Sequence, residues 1–285
     1  MSVADAARVW NGEFRKPCNS AAQAKGSIHD DATASKLGFK GGTVAGSIHM
    51  DQFVPGLVEI YGPRWFESSA MSLYFTQATV DSEPVRATVE AGDERCRLTM
   101  HNEAGAQICE GTAGLGHDNQ SELSKRLAAQ TPSEPGALRI LAAMELGEEH
   151  HDLPVRIEPD GLASYLERIT EPLAEYRDEA VLPPAQIVHM AHMTRKAVLA
   201  KAAQPSVGLF GALEVEMFAG PLRADVDYLA RTKVLKFSES PKTENVWYEV
   251  IFTAKDGQTN KAGSDLGRVL YLLRLMKGSS PLWAA

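Results

Sequence analysis

Residues 26–50 read GSIHDDATASKLGFKGGTVAGSIHM. A histidine, His29, stands beside Asp30 and Asp31, and four glycines (Gly38, Gly41, Gly42 and Gly46) follow before an apolar run begins. A segment that only buries a core needs neither the histidine nor the glycines. From the end of this stretch outward, Val44, Ile48, Phe53, Leu57, Val58, Ile60 and Tyr61 recur at three- and four-residue spacing. That period predicts one long helix over 44–61 with a buried face, kinked where Pro55 lacks an N–H and stopped by Gly62 and Pro63.

Beyond the helix the period changes to two. Residues 71–80, 84–91, 94–101 and 106–115 read as strands, with residues 102–105 as a hairpin turn between the last two. Residues 117–150 are polar and interrupted by prolines, and predict a surface connector with one short helix. The order then repeats. Residues 183–202 predict a second helix, and 207–218, 224–237, 245–254 and 258–273 predict strands, with Asp256 and Gly257 as a hairpin signal. A sheet with one apolar face is covered by one amphipathic helix, and two such units that meet edge to edge remove exposed strand edges. The expected domains are 1–118, a connector 119–150, and 151–285.

The 285 residues carry a formal net charge of −8, which repels phosphate backbones and argues against a nucleic-acid partner. No apolar run has the length of a membrane helix, and the first residues lack a signal-peptide core, so a cytoplasmic location without membrane association is expected. Cys18, Cys96 and Cys109 fit no disulfide framework or metal pattern, and Cys96 and Cys109 read as buried inert thiols.

The stretch GSIHDD…LGFKGGTVAGSIHM resembles the motif of the MaoC-like hydratase/dehydratase family, also called hydratase 2. The motif histidine falls on His29, the aspartate two residues on falls on Asp31, and the glycine-rich turn falls on residues 39–46. The resemblance implies a double hotdog, an α+β fold in which two long central helices are wrapped by antiparallel sheets. It also implies addition or removal of water at the double bond of an acyl thioester or related conjugated carbonyl compound. In the family an aspartate stands five residues before the histidine, where this sequence has Ala24. The family's asparagine and proline fall on Gly26 and Ser27, and a histidine that often precedes the helix glycine falls on Ala45. The second half lacks an IHDD-like segment, and by resemblance it shapes the substrate pocket without taking part in the chemistry.

Hydration of an enoyl thioester needs a base for water and a stabiliser for the enolate oxygen. Histidine exchanges protons near neutral pH, which suits His29 to the first task. Unpaired N–H groups at a helix start suit Gly46 and Ser47 to the second. Asp31 is the candidate orienter of His29, and Ser27, Ala45, Ser47 and His49 are the candidate substrate contacts. For both aspartates a structural reading stands beside this one: Asp30 as a helix cap and Asp31 in a first turn. An acid from elsewhere, for example Glu67 or Asp51, could take the place of the missing aspartate, and the sequence singles out neither. His189 and His192 share a helix face and read as packing or pocket lining, and His150 and His151 as solvated surface. No metal site or cofactor is expected, since no third ligand accompanies the pair and GFKGG does not match a dinucleotide fingerprint. The expected partner is a small-molecule acyl thioester, and the sequence leaves room for a homodimer. Two alternatives remain: a hotdog thioesterase using Glu59 or Asp51 as its carboxylate, and a non-catalytic acyl-binding protein, which the alanine at position 24 favours.

Overall fold

Each helix expected to be long is broken into two short ones. The computed structural model describes residues 8–117, 120–133, 135–170, 172–255 and 263–284. In the first half, strand β1 (Val9–Asn11) precedes helices α1 (Asp31–Lys36), α2 (Gly46–Asp51), α3 (Val54–Tyr61) and α4 (Arg64–Glu67). Pro55 has no N–H for the Asp51 carbonyl, so the backbone leaves the helical path at residues 52–53 and restarts as α3. Strands β2 (Ser69–Phe75), β3 (Val85–Glu90), β4 (Cys96–Asn102) and β5 (Gln107–Leu115) follow. The hairpin between β4 and β5 closes through the Gly105 N–H on the Asn102 carbonyl, with Gly105 in the left-handed region. Strand β2 ends earlier than the sequence suggested. Residues 76–79 leave the sheet, and Val80 forms an isolated bridge with Thr43.

The second half contains α5 (Glu122–Ala129), β6 (Glu149–Val155), α6 (Pro159–Leu166), α7 (Ala174–Asp178), α8 (Pro184–His192) and α9 (Arg195–Val198). Strands β7 (Gly208–Met217), β8 (Tyr228–Glu239), β9 (Thr243–Ala254) and β10 (Asp265–Met276) complete it. The second helix breaks without a proline at its break. There the Thr194 hydroxyl donates to the Ala191 carbonyl at 2.8 Å, a side-chain bond that competes with the helical ladder. Edge strands β1 and β6 and helices α6 and α7 went unpredicted, because short or polar segments carry little period. His150 and His151 lie on β6, beside Glu148 and Glu149. Asp256 and Gly257 lie outside the described residues.

Among the described residues ten strands form one antiparallel sheet in the order β1-β3-β4-β5-β2-β7-β10-β9-β8-β6. Read outward from the β2–β7 seam, each half repeats the same order, with β6 to β10 in the places of β1 to β5. The helices α2 and α3 before β2 thus correspond to α8 and α9 before β7. The apolar faces of both helix pairs meet the sheet in one core that includes Met50, Phe53, Leu57, Ile187, Val188 and Tyr271. Burying a side chain such as Phe53 contributes about 1.5–3 kcal/mol. Cys96 and Cys109 are buried in β4 and β5, and burial pushes the Cys109 thiol well up.

The connector is more than surface chain. Helix α5, capped by Ser121, buries Leu123 against Ala212, Trp247, Leu270 and Leu272 on the sheet's other face. Further on, the Glu244 carboxylate accepts the N–H groups of Arg139, Ile140 and Leu141 at 2.9–3.0 Å, which seats Ile140 and Leu141 in the main core. Beside α5 lies a buried charge cluster. Arg268 of β10 reaches Glu214 and Glu216 of β7 and Glu249 of β9 at 2.9, 2.6 and 3.2 Å.

Candidate active site

The loop that carries His29 is pinned to the glycine turn by backbone bonds. The Thr43 N–H donates to the Ile28 carbonyl at 2.9 Å, and the Asn19 amide donates to the His29 carbonyl at 2.9 Å. This approach explains one of the glycines. A Cβ on Gly42 would lie 2.2 Å from the His29 carbonyl oxygen, which no side chain tolerates. Gly42→Ala is therefore expected to push the two segments apart, destabilising the fold by about 2–3 kcal/mol. A chemical denaturation midpoint, compared with that of the exposed-site control Gly136→Ala, measures the cost.

The same pinning sets the imidazole. His29 Nδ1 lies 2.7 Å from the Thr43 carbonyl oxygen. A carbonyl only accepts, so Nδ1 carries the hydrogen and, in the neutral ring, Nε2 keeps its lone pair. Nε2 has no protein hydrogen bond among the described residues. The ring is half-buried and lines a cleft of about 1510 Å³.

Asp31 was expected to orient this ring. Its carboxylate instead accepts the Gly42 N–H at 2.6 Å, from the first turn of α1, and so acts on the glycine turn. Asp30 caps α1 and accepts from the Thr33 hydroxyl at 2.6 Å, and that bond holds its carboxyl below the usual range. The orienting partner of His29 is a backbone carbonyl, which residue types alone do not reveal. Ser27 accepts the His29 N–H at 3.2 Å, lines the cleft and supports the loop.

Ala45 is the N-cap of α2 and offers no side-chain oxygen, so its first N–H groups, including those of Gly46 and Ser47, lack a side-chain cap. Gly46 packs under Phe75, where a Cβ would lie 2.7 Å from the ring. Ala45, Gly46 and Ser47 all line the cleft, as does Ala24, the place where the resembling family has its aspartate. His49 also reaches the cleft wall, but its ring is buried and spends both nitrogens on protein. Nε2 is 2.8 Å from the Thr79 hydroxyl, and Nδ1 is 3.5 Å from the Gln52 amide.

The opposite wall comes from the second half. Gln186, His189 and His192 of α8, Arg195 of α9 and Phe210 of β7 line it. His192 meets Phe210 edge to face at 6.0 Å, and the charge of His29 acts on it. The two halves thus bring imidazoles from different helices' neighbourhoods to one cleft. Tyr74 and Phe75 add aromatic surface, whereas Trp65, Tyr228 and Trp247 are core residues.

The carboxylates suggested by sequence do not reach this cleft. Glu59 is exposed and pairs with Arg8 at 2.8 Å, and Glu67 is exposed on α4. Asp51 accepts from the Tyr165 hydroxyl and from the Ala185 N–H at 2.9 Å, and so caps the start of α8. The carboxylates lining the cleft among the described residues are Glu158 and Glu239, paired with Arg156 and Lys277.

No protein-family model matches the sequence, and no curated protein matches it. Solved structures do match. A conserved hypothetical protein of Mycobacterium tuberculosis, described as having a double hotdog fold, aligns at a TM-score of 0.64 with 10% identity, covering 95% of this chain and 96% of its own. The fold is a double hotdog. A MaoC-like dehydratase aligns with this double hotdog at a TM-score of 0.53 and 13% identity, over 95% of this chain and 98% of the other. The dehydratase domain of the polyketide protein PpsC from M. tuberculosis aligns at 0.51 and 12% identity, over 96% and 95%. That domain is also described in complex with C12:1-CoA. In this double hotdog the two expected long central helices are the broken pairs α2–α3 and α8–α9.

Burial also makes the double hotdog sensitive to pH. Desolvation pushes His49 and His192 down to about 4. Between about pH 6.5 and 4 the unfolded chain binds protons that these folded rings reject, so stability falls as pH falls, by up to roughly 3 kcal/mol for each ring. Asp51 has the opposite sign. Burial pushes it up to about 7 against the pull of its two hydrogen bonds, so its contribution is lost as pH rises from about 4 to 7. Two groups oppose one. Urea midpoints are expected to rise between about pH 4.5 and 6.5 and then level off.

Proposed function

We propose that this double hotdog is a hydratase or dehydratase of acyl thioesters, with His29 as its acid/base. In the hydration direction His29 Nε2 takes a proton from water as the water oxygen bonds to the β-carbon of a 2-enoyl thioester. The carbon–carbon π electrons move toward the thioester carbonyl, and the N–H groups of Gly46 and Ser47 receive the developing oxyanion. The proton then passes to the α-carbon, which restores the carbonyl. Dehydration runs the same steps in reverse. Gln186 and His192 donate from the facing wall, so the second half contributes polar groups as well as space. Asp31 keeps the glycine turn closed on the His29 loop.

The observation that carries this reading is the 2.7 Å bond from His29 Nδ1 to the Thr43 carbonyl, which leaves Nε2 for a cleft shared with the start of α2. Dehydratases among the structural neighbours support it at the level of fold. A hydrolytic reading is less well supported, because the carboxylates that line the cleft are committed to ion pairs.

The test is a panel of 2-enoyl and 3-hydroxyacyl coenzyme A thioesters offered to the purified chain. The expected result is a change in enoyl absorbance with the thioester intact. Release of free thiol would replace this reading with thioester hydrolysis. Binding without turnover across the panel would replace it with a non-catalytic acyl-binding role.

A further inference from the structure

Helices α8 and α9 carry a polar side chain at every third position: Gln186, His189, His192 and Arg195. Their neighbours Ile187, Val188, Met190 and Ala191 are buried apolar residues. All four polar residues line the cleft, and among the described residues none of these side chains has a protein hydrogen bond. His189 is exposed, but Gln186 is buried and His192 and Arg195 are partly buried; polar groups in such positions are normally satisfied, so these three present donors to whatever fills the cleft.

Arg195 is distinguished among the arginines lining the cleft by burial without an ion pair; Arg168 also has no protein partner among the described residues, but it is exposed. Arg126 is held by Glu110 and Glu122, Arg156 by Glu158 and Asp227, and Arg274 by the Tyr74 hydroxyl. Arg195 is half-buried and has no carboxylate partner among the described residues. Gly208 of β7 leaves room for it: a Cβ there would lie 2.8 Å from an Arg195 terminal nitrogen. Its charge acts on His192, on which His29 also acts, and on the buried Tyr248 and Tyr271. Arg195, His192 and His29 all line one cleft. A guanidinium in this setting matches a planar anion through paired hydrogen bonds.

We propose that Arg195 anchors a carboxylate carried by the acyl group itself, so that the substrate is the thioester of a dicarboxylic acid. The inference rests on the acyl-thioester reading of the cleft. A phosphate of the carrier is the other anion at hand, but it sits at the far end of a pantetheine arm from the reacting carbons, whereas Arg195 lines the same cleft as the acid/base.

The test is calorimetric binding of matched coenzyme A thioesters: butanoyl against 3-carboxypropanoyl, and pentanoyl against 4-carboxybutanoyl. The wild-type chain is expected to prefer a carboxylated member by about tenfold, or roughly 1.4 kcal/mol. Arg195→Met is expected to erase the preference, and Arg195→Lys to restore part of it. Arg195→Met should melt at or above the wild-type temperature, since no protein ion pair is lost. Equal binding of both members by the wild type overturns the inference and leaves the thioester reading standing, and so does a preference that survives in Arg195→Met. Failure of every thioester to bind overturns both. A carboxylate preference without hydration of the matching enoyl thioesters upholds the anchor and removes the hydratase reading alone.

Discussion

Replacing His29 by asparagine is expected to lower turnover of an enoyl thioester by at least about a hundredfold, the usual range for a lost general acid/base. The variant is chosen to keep the architecture. An asparagine amide N–H, which overlays the imidazole Nδ1, can replace the bond from Nδ1 to the Thr43 carbonyl, so the glycine turn stays closed. The side chain is half-buried, and the expected stability change is within about 1 kcal/mol. Substrate affinity should change little, because the oxyanion donors of α2 and the wall of α8 remain. Steady-state kinetics, with KM and kcat resolved, and a melting curve check this together. Unchanged kcat in a folded variant would remove His29 from the chemistry. A fall in kcat/KM through KM alone would make it a binding residue.

Arg268→Met is expected to give the largest loss of stability, about 3–5 kcal/mol. The guanidinium serves three carboxylates, and two of them, Glu214 and Glu216, are 0% and 1% exposed. Burial and the neighbouring Glu216 charge already push the Glu214 carboxyl up. Methionine fills much of the same volume but leaves these charges on β7 without their main counterion. His117 still reaches Glu216 at 2.8 Å, and that single contact does not serve Glu214. Two readouts separate lost charge pairing from lost packing. The deficit should shrink as pH falls and the carboxylates take up protons, and it should shrink when Glu214→Gln and Glu216→Gln are added to Arg268→Met. A deficit that ignores both would assign the effect to packing at β10.

The local patterns carried much of the fold. Period-two runs marked eight of the ten strands, and Asn102 and Gly105 marked the first hairpin. The repeated order of helix and strands anticipated a paired architecture whose seam is β2 against β7. The stretch around His29 singled out a loop that does line the cleft, with Ser27, Ala45, Gly46, Ser47 and His49. Asp31 was misread because its distance along the chain from His29 says nothing of its direction. Its carboxylate turns toward the Gly42 N–H, eleven residues on.

Residue period and turn chemistry act between near neighbours, so the amino-acid sequence by itself determined the two helix-and-sheet units, the glycine turn and the histidine beside it. Only the tertiary structure decided which carbonyl orients that histidine, which carboxylates are spent on capping or ion pairs, and that Gln186, His192 and Arg195 share a cleft with His29. The last of these joins positions more than 150 residues apart across the packed α2 and α8 helices, and the first two arise from satisfied hydrogen bonds and ion pairs. No local pattern encodes them, because a side chain's partner is set by the surface it is folded against.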